Sequence, residues 1–351
     1  MADTRFPADL DRYSRQMLFA GVGVEGQRRI RAARVLVCGC GALGSAVADG
    51  LTRAGVGFLR IVDRDFVELS NLQRQVLFDE QDVASGIPKA IAAAAKLGRI
   101  NSGVRLDPIV ADIDAGNILQ FAGDVDLIVD GMDNFETRFL INDAALELSR
   151  PWIYAGCIGS HGQVMPIFPG QSACLRCLIG DVPGPGETET CDTAGVLGPA
   201  IAVVAALEVT LAIKILCGGR EAVRESLSVI DVWEPSLRAM QIGKLREQSD
   251  CPACVQGRRD WLRGEKVSQS TVLCGRNAVQ ISPAEKRKLN LAEVAARLAA
   301  TGTVTHNTFL LRLELPGGSQ RITLFPDGRA IIQGTDDPVV ARGIYAKFVG
   351  A

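Results

Sequence analysis

One segment constrains the fold more than any other. Residues 34–38 (Arg-Val-Leu-Val-Cys) form a short β-branched apolar run that leads directly into Gly39, Gly41 and Gly44, spaced as G-x-G-x-x-G around Ala42. A helical pattern follows over 45–54, and after Gly55 and Gly57 a second strand pattern over 58–62 ends at Asp63. A strand, a glycine turn, a helix and a second strand make a βαβ unit of about 30 residues. The glycines let backbone N–H groups approach a phosphate at the helix N-terminus. An acid closing the second strand, here Asp63, can hydrogen-bond a ribose hydroxyl. The unit points to a nucleotide without separating NAD, FAD and ATP, and a glycine turn with no ligand is the alternative.

The alternation continues along the chain. A helix rich in alanine is expected after Pro88, then strands over 104–110 and 126–130, a helix over 135–148 and a strand over 152–154. Strands alternating with helices imply an α/β fold with a doubly wound, Rossmann-type, mostly parallel sheet. Residues 183–193 are rich in Pro, Gly, Thr and Glu and read as a loop. The expected organisation is a nucleotide-binding domain over 1–256, a charged linker over 257–270, and a small α+β domain over 271–351. The last of these carries a turn at Asp327-Gly328-Arg329, and its default role is structural or in docking.

A formal net charge of −2 lacks the basic excess of a nucleic-acid binder. The most apolar stretch, 201–216, is interrupted by Glu208 and Lys214 and reads as a buried helix rather than a membrane span. The polar first residues have no signal-peptide pattern, so a cytoplasmic location is expected.

Beyond Asp63 the chemistry becomes more specific. Asp65 and Glu68 run into Ser70, Asn71, Arg74 and Gln75, followed by Pro88 and Lys89. A dehydrogenase has no need of Asn, Arg and Lys gathered here, whereas a polyphosphate does. Arg74 and Lys89 can neutralise the β- and γ-phosphates, and Asn71 can orient their oxygens. Taken singly, Arg74 or Lys89 reads as a solvated helix charge.

Ten cysteines without a signal peptide point to metal or thiol chemistry rather than disulfides. Cys174 and Cys177 form one C-x-x-C pair, and Cys251 and Cys254 form another roughly seventy residues on. Together they offer the four thiolates of a closed tetrahedral Zn2+ site, a clasp between distant segments. A redox role for one pair is the alternative. Cys38, Cys40, Cys157, Cys217 and Cys274 are expected to pack as small hydrophobes.

Over roughly residues 8–256 the chain closely resembles the ThiF/MoeB/HesA adenylyltransferase family, bacterial relatives of ubiquitin-activating enzymes. The resemblance rests on Arg12-Tyr-Ser-Arg15-Gln16, the 39–44 glycine turn, Asp63-Arg-Asp65, the 70–75 run, Pro88-Lys89, Asp130-Gly-Met-Asp133-Asn134, both C-x-x-C pairs, and Thr190-Cys191 through Gly195.

The resemblance implies roles position by position. Asp63 would be the ribose ligand, and Ser70, Asn71, Arg74 and Lys89 the nucleotide and phosphate contacts. Asp133 would be the magnesium-linked acid, with Asn134 beside it. Arg15 matches an arginine that reaches ATP from the neighbouring subunit of a homodimer; a surface arginine is the alternative. Cys191 matches a cysteine that takes the carrier as a thioester or attacks it as a persulfide, which some members lack. No positive charge near it in the sequence would lower its pKa.

The implied reaction is ATP- and Mg2+-dependent adenylylation of the C-terminal glycine carboxylate of a ubiquitin-like sulfur carrier of ThiS or MoaD type. No rhodanese-like segment follows Cys254, so a separate sulfur donor protein is expected. The carrier could serve thiamine, molybdopterin, tRNA thiolation, cysteine synthesis or a conjugation system. Two other classes remain: a nicotinamide oxidoreductase, and a non-catalytic binder of a ubiquitin-like protein. The set Arg15, Asn71, Arg74, Lys89 and Asp133 argues against both.

Overall fold

Strands covered on both faces bury every side chain, so their sequences read as continuous apolar runs. The central strands here follow that rule. In the computed structural model, which describes residues 7–181, 194–266, 271–273, 277–281, 289–315, 317 and 320–349, the chain divides into two units, Met1–Lys266 and Val267–Ala351.

The first unit is built on an eight-stranded sheet. Its strands are β1 (Arg34–Cys38), β2 (Phe58–Val62), β3 (Arg105–Ile109), β4 (Leu127–Asp130), β5 (Trp152–Ile158), β6 (His161–Ile167), β7 (Ser226–Asp231) and β8 (Ser236–Gln241). The order across the sheet is β3-β2-β1-β4-β5-β6-β7-β8. β1 to β5 run parallel, and β6 to β8 extend the sheet antiparallel. In register, Cys38 faces Val62 on one side and Asp130 on the other. The sheet therefore reverses its winding between β1 and β4, and the carboxyl ends of these strands open onto one crevice, where open α/β sheets bind ligands.

Alternate residues serve opposite faces. Val35, Val37, Leu59, Ile61, Leu127 and Val129 pack with the helices Ala42–Ala54, Lys89–Ile100 and Gly198–Gly218. Leu36, Cys38, Ile128, Trp152 and Tyr154 pack on the other face with the helix Phe135–Leu148. Gly198–Gly218 is long and apolar enough to cross a membrane, but its Ile201, Val204, Ala205 and Ala212 are core residues of this unit. Cys38, Cys40, Cys157 and Cys217 are buried, all four in the apolar clusters around the sheet. Cys274 lies outside the described residues.

The stretch expected to be a linker behaves differently over 257–266. Asp260 and Trp261 are buried in the first unit. Asp260 pairs with Arg176 at 3.0 Å, and the Trp261 ring lies 5.8 Å from that of Phe139. Asp260, Arg259 and Lys266 pair with Arg176, Glu147 and Asp181, far away in sequence, so a segment that reads as solvated packs as a strap. Residues 267–270 lie outside the described residues.

The second unit is a six-stranded antiparallel sheet of order β11-β12-β13-β14-β10-β9, with β9 Thr271–Leu273, β10 Ala278–Ile281, β11 Thr303–His306, β12 Leu311–Glu314, β13 Arg321–Leu324 and β14 Ala330–Gln333. The helices Leu291–Leu298 and Pro338–Phe348 contribute Val294, Leu298 and Ala341 to a core shared with Leu311, Ile322, Leu324 and Ile332. Asn290 and Asp337 cap them by accepting first-turn N–H groups. The Asp327–Arg329 turn forms as expected, with Asp327 accepting the Arg329 backbone N–H.

Candidate active site and cysteine clasp

The turn after β1 requires glycine at two points. Gly39 has φ +86°, and a Cβ there would stand 2.7 Å from the Gly131 carbonyl oxygen. A Cβ on Gly44 would stand 1.9 Å from the Gly39 carbonyl oxygen. Any side chain at either point would hit backbone, so the close approach of the turn, the helix Ala42–Ala54 and the Gly131 loop depends on both. Beside the turn, Asp63 accepts the N–H of Cys40 through Oδ2 and that of Asp65 through Oδ1, both at 2.6 Å. Burial pushes the Asp63 carboxyl up, and Lys89 draws it back down. Each of its oxygens keeps a lone pair for a further donor such as a ribose hydroxyl.

Lys89 opens the helix Lys89–Ile100, where the helix dipole disfavours a cation. A local pairing of Phe66 with Pro88 brings it beside Asp65, whose Oδ2 lies 3.1 Å from Nζ, and the lysine side chain is buried. Arg74 donates to Asn71 Oδ1 at 2.9 Å and to the Ser70 carbonyl at 3.0 Å. Asn71 is buried and Ser70 exposed. Gln75, quoted from sequence only as part of a motif, belongs here too. It is buried, and its Nε2 lies 4.0 Å from where a Cβ on Gly41 would stand.

On the other side of the crevice, Asp133 is exposed in the loop after β4. Asn134 caps the helix Phe135–Leu148, accepting the Thr137 N–H at 2.9 Å, and its Nδ2 lies 3.4 Å from Asp133 Oδ1. Arg138, which carried no expectation, holds this loop together with Asp130. Buried Arg138 donates from Nε to Asp130 Oδ2 at 2.9 Å, and from Nη2 to the carbonyls of Met132 at 2.6 Å and Ala155 at 2.8 Å. One guanidinium thus joins the end of β4, the Asp133 loop and β5. Burial raises the Asp130 carboxyl, and Arg138 opposes it.

The four expected metal ligands converge. Within the Cys174, Cys177, Cys251 and Cys254 set all ligand atoms lie within 4.8 Å of one another. The closest sulfur pairs are Cys177–Cys254 at 3.3 Å, Cys174–Cys251 at 3.6 Å and Cys174–Cys177 at 3.9 Å. Tetrahedral zinc with Zn–S of about 2.3 Å spaces its sulfurs by about 3.8 Å, so this donor set fits that ion. The Ser249 hydroxyl donates to Cys177 Sγ at 3.4 Å, an outer contact of the kind that orients a metal ligand.

The ThiF family description matches residues 13–253. The chain belongs to the ThiF family. Among ThiF-family relatives, the sulfur carrier protein ThiS adenylyltransferase of Bacillus subtilis is 42% identical over 340 residues, covering 97% of this chain and 99% of that one. The sulfur carrier protein adenylyltransferase of Thermus thermophilus is 40% identical over 251 residues, covering 70% and 91%. Among solved structures, E. coli MccB with ATP superposes with a TM-score of 0.59 at 25% identity, covering 71% of this chain and 75% of that one.

One expected residue of this ThiF-family chain makes no contact with the crevice groups through a hydrogen bond or ion pair among the described residues. It is Arg15, exposed in the helix Ser14–Met17. Cys191 lies outside the described residues.

Proposed function

We propose that the chain catalyses ATP-dependent adenylylation of the C-terminal carboxylate of a ThiS-type ubiquitin-like sulfur carrier. The observation that carries this reading is that Asp63 and Gln75 lie against the 39–44 turn, with Lys89 paired to Asp65 next to Asp63 and Arg74 tied to Asn71 beside Gln75. It is supported by the match of the ThiS adenylyltransferase relative along nearly the whole chain, second unit included.

In the reaction a carrier carboxylate oxygen bonds to the α-phosphorus of ATP. The bond from that phosphorus to the bridging oxygen breaks, and pyrophosphate leaves with the electron pair. Attack of one anion on another needs fixed positive charge and hydrogen-bond donors in place beforehand. Asp63 holds the ribose, the backbone N–H groups of the glycine turn face the phosphates, and Lys89 and Arg74 offset charge on the departing pyrophosphate. Asp133 and Asn134, across the crevice, offer oxygens for Mg2+. Bound there, Mg2+ would neutralise phosphate charge and draw electron density from phosphorus. Zn2+ in the clasp would hold its two segments together without entering the reaction.

The outer strand β8 leaves Leu237 and Met240 exposed, with Trp233 72% exposed in the preceding turn. An apolar sheet edge of this kind suits docking of a folded carrier. Arg15 stands beside exposed Leu18 and Phe19, which fits a homodimer in which the arginine completes the partner's site. Sulfur would then arrive from a separate donor protein, with displacement of AMP.

The test is carrier-dependent ATP–pyrophosphate exchange with purified ThiS-type and MoaD-type carriers. Exchange with the ThiS-type carrier is expected. Absence of exchange with every carrier, under conditions where the protein binds ATP, would reject the reading.

A further inference from the structure

The Phe135–Leu148 helix does two jobs at its two ends. Its first turns carry the crevice groups: Asn134 caps it beside Asp133, and Arg138 ties it to Asp130 and the Met132 carbonyl. Its next turn faces the cysteine clasp. Asn142 Oδ1 accepts the N–H of Leu175, the residue after Cys174, at 2.9 Å. Asp143 Oδ2 accepts the N–H groups of Trp261 at 3.0 Å and Leu262 at 3.4 Å. Both side chains are fully buried.

The strap that supplies those N–H groups also grips both C-x-x-C loops. Asp260 pairs with Arg176, between Cys174 and Cys177. Arg259 Nη1 donates to the carbonyl of Ala253, between Cys251 and Cys254, at 2.8 Å, and its Nε lies 3.3 Å from Glu147 on the helix. Arg138 and Asn142 are four residues apart, about 6 Å along a helix axis, so the two networks share one rigid element.

We propose that this helix transmits the order of the metal clasp to the Asp133 loop, with Asn142 and Asp143 as positioning residues for the adenylylation chemistry. The four-cysteine site then does more than close a fold: its occupancy sets how well Asp133 and Asn134 are aimed. The proposal rests on the reading of Asp133 as the metal-linked acid, but its structural half can be measured without the reaction.

The first measurement is amide hydrogen exchange on the full-length zinc-loaded protein before and after metal removal by a chelator. Protection should fall selectively at residues 131–138, while the helix Ala42–Ala54, on the opposite face of the sheet, keeps its protection. Unchanged protection at 131–138, or equal loss at both places, overturns the proposal. The second uses Asp143→Ala and its conservative counterpart Asp143→Asn, which keeps an acceptor for the two strap N–H groups. Asp143→Ala should lower kcat for carrier-dependent exchange about tenfold or more through misaligned groups, with KM for ATP within about twofold, and Asp143→Asn should restore it. A zinc-loaded Asp143→Ala protein with wild-type kcat and wild-type protection at 131–138 would also overturn it. Should Asp143→Ala fail to fold, the chelation comparison decides alone. Selective loss at 131–138 together with no exchange activity in the unmodified protein would keep the relay and remove only the adenylyltransferase reading.

Discussion

Arg138 Nε donates to Asp130 Oδ2 at 2.9 Å, with both side chains in the interior. A buried pair of this kind adds little net stability over an apolar pair, but losing one partner strands the other charge. Arg138→Met should therefore cost about 3 kcal/mol in urea unfolding. Asp130, relieved of its counter-charge, should take up a proton more readily, because burial already raises it. Arg138→Lys should fail to rescue activity, since an ammonium cannot bridge Asp130, Met132 and Ala155 in one plane. Full activity in Arg138→Lys would show that the bridge is dispensable.

Asp133 is the opposite case. It is exposed, and the helix cap beside it is Asn134. Asp133→Ala should change stability by less than about 0.5 kcal/mol while lowering carrier-dependent pyrophosphate exchange by about a hundredfold or more. Exchange within tenfold of wild type would remove Asp133 from the metal-linked role.

Metal analysis should find about one zinc per chain. Replacing any one of Cys174, Cys177, Cys251 or Cys254 should lower stability more than it changes ATP affinity, because structural metal binding is coupled to folding. Ser249→Ala leaves all four thiolates but removes the hydroxyl that donates to Cys177. It should weaken zinc about tenfold in chelator competition. An unchanged competition curve would assign that hydrogen bond no part in the site.

If Arg15 acts across a dimer, two inactive variants should complement each other. In an equilibrated equal mixture of Arg15→Ala and Asp133→Ala, about half the dimers are mixed, and each mixed dimer has one complete site. Activity should recover to about a quarter of wild type, well above either variant alone, given the rate gains supplied by arginines in trans. A flat response, with subunit exchange shown independently, would place Arg15 in its own chain's site or in none.

What the sequence revealed follows from how local each signal is. The glycine turn and Asp63 sit within one βαβ unit, so spacing alone marked them, and repeated C-x-x-C spacing marked the clasp. Arg138 was invisible because a lone arginine in a helical pattern reads as surface charge. Its burial depends on Asp130, which the fold brings opposite it. The 257–266 strap misled for the same reason: Asp260 looks solvated until Arg176, 84 positions away, is seen beside it. The outer antiparallel strands β7 and β8 were also hidden, since they lie beyond the 183–193 loop and their partners are set by tertiary pairing. Gln75 was in view as part of a motif, but its place against Gly41 is a matter of three-dimensional packing.

Glu208 marked the Gly198–Gly218 segment as something other than a membrane span, and its surroundings yield a sharp test. The side chain is fully buried, and neither carboxyl oxygen has a hydrogen-bond partner among the described residues. Burial, followed by the field of Asp130, pushes its pKa well above the ordinary glutamate value, with Arg138 opposing. Between its unfolded and its folded pKa, the folded chain holds the Glu208 proton where the unfolded chain has released it. The folded state binds more protons, so this group's contribution makes stability fall as pH rises from its unfolded pKa toward its folded one. Glu208→Gln is close in shape, gives up no hydrogen bond, and has no proton to hold. The variant should be more stable than wild type at pH 7, and its advantage should grow by up to about 1.4 kcal/mol per pH unit on the alkaline side. The measurement is the difference in unfolding free energy between the two proteins at matched pH values from 6 to 9, with zinc saturating throughout so that metal loss cannot supply the slope. A constant difference across that range would mean that Glu208 is ionised in the folded protein or partnered within it, and its assignment as a neutral buried acid would fall.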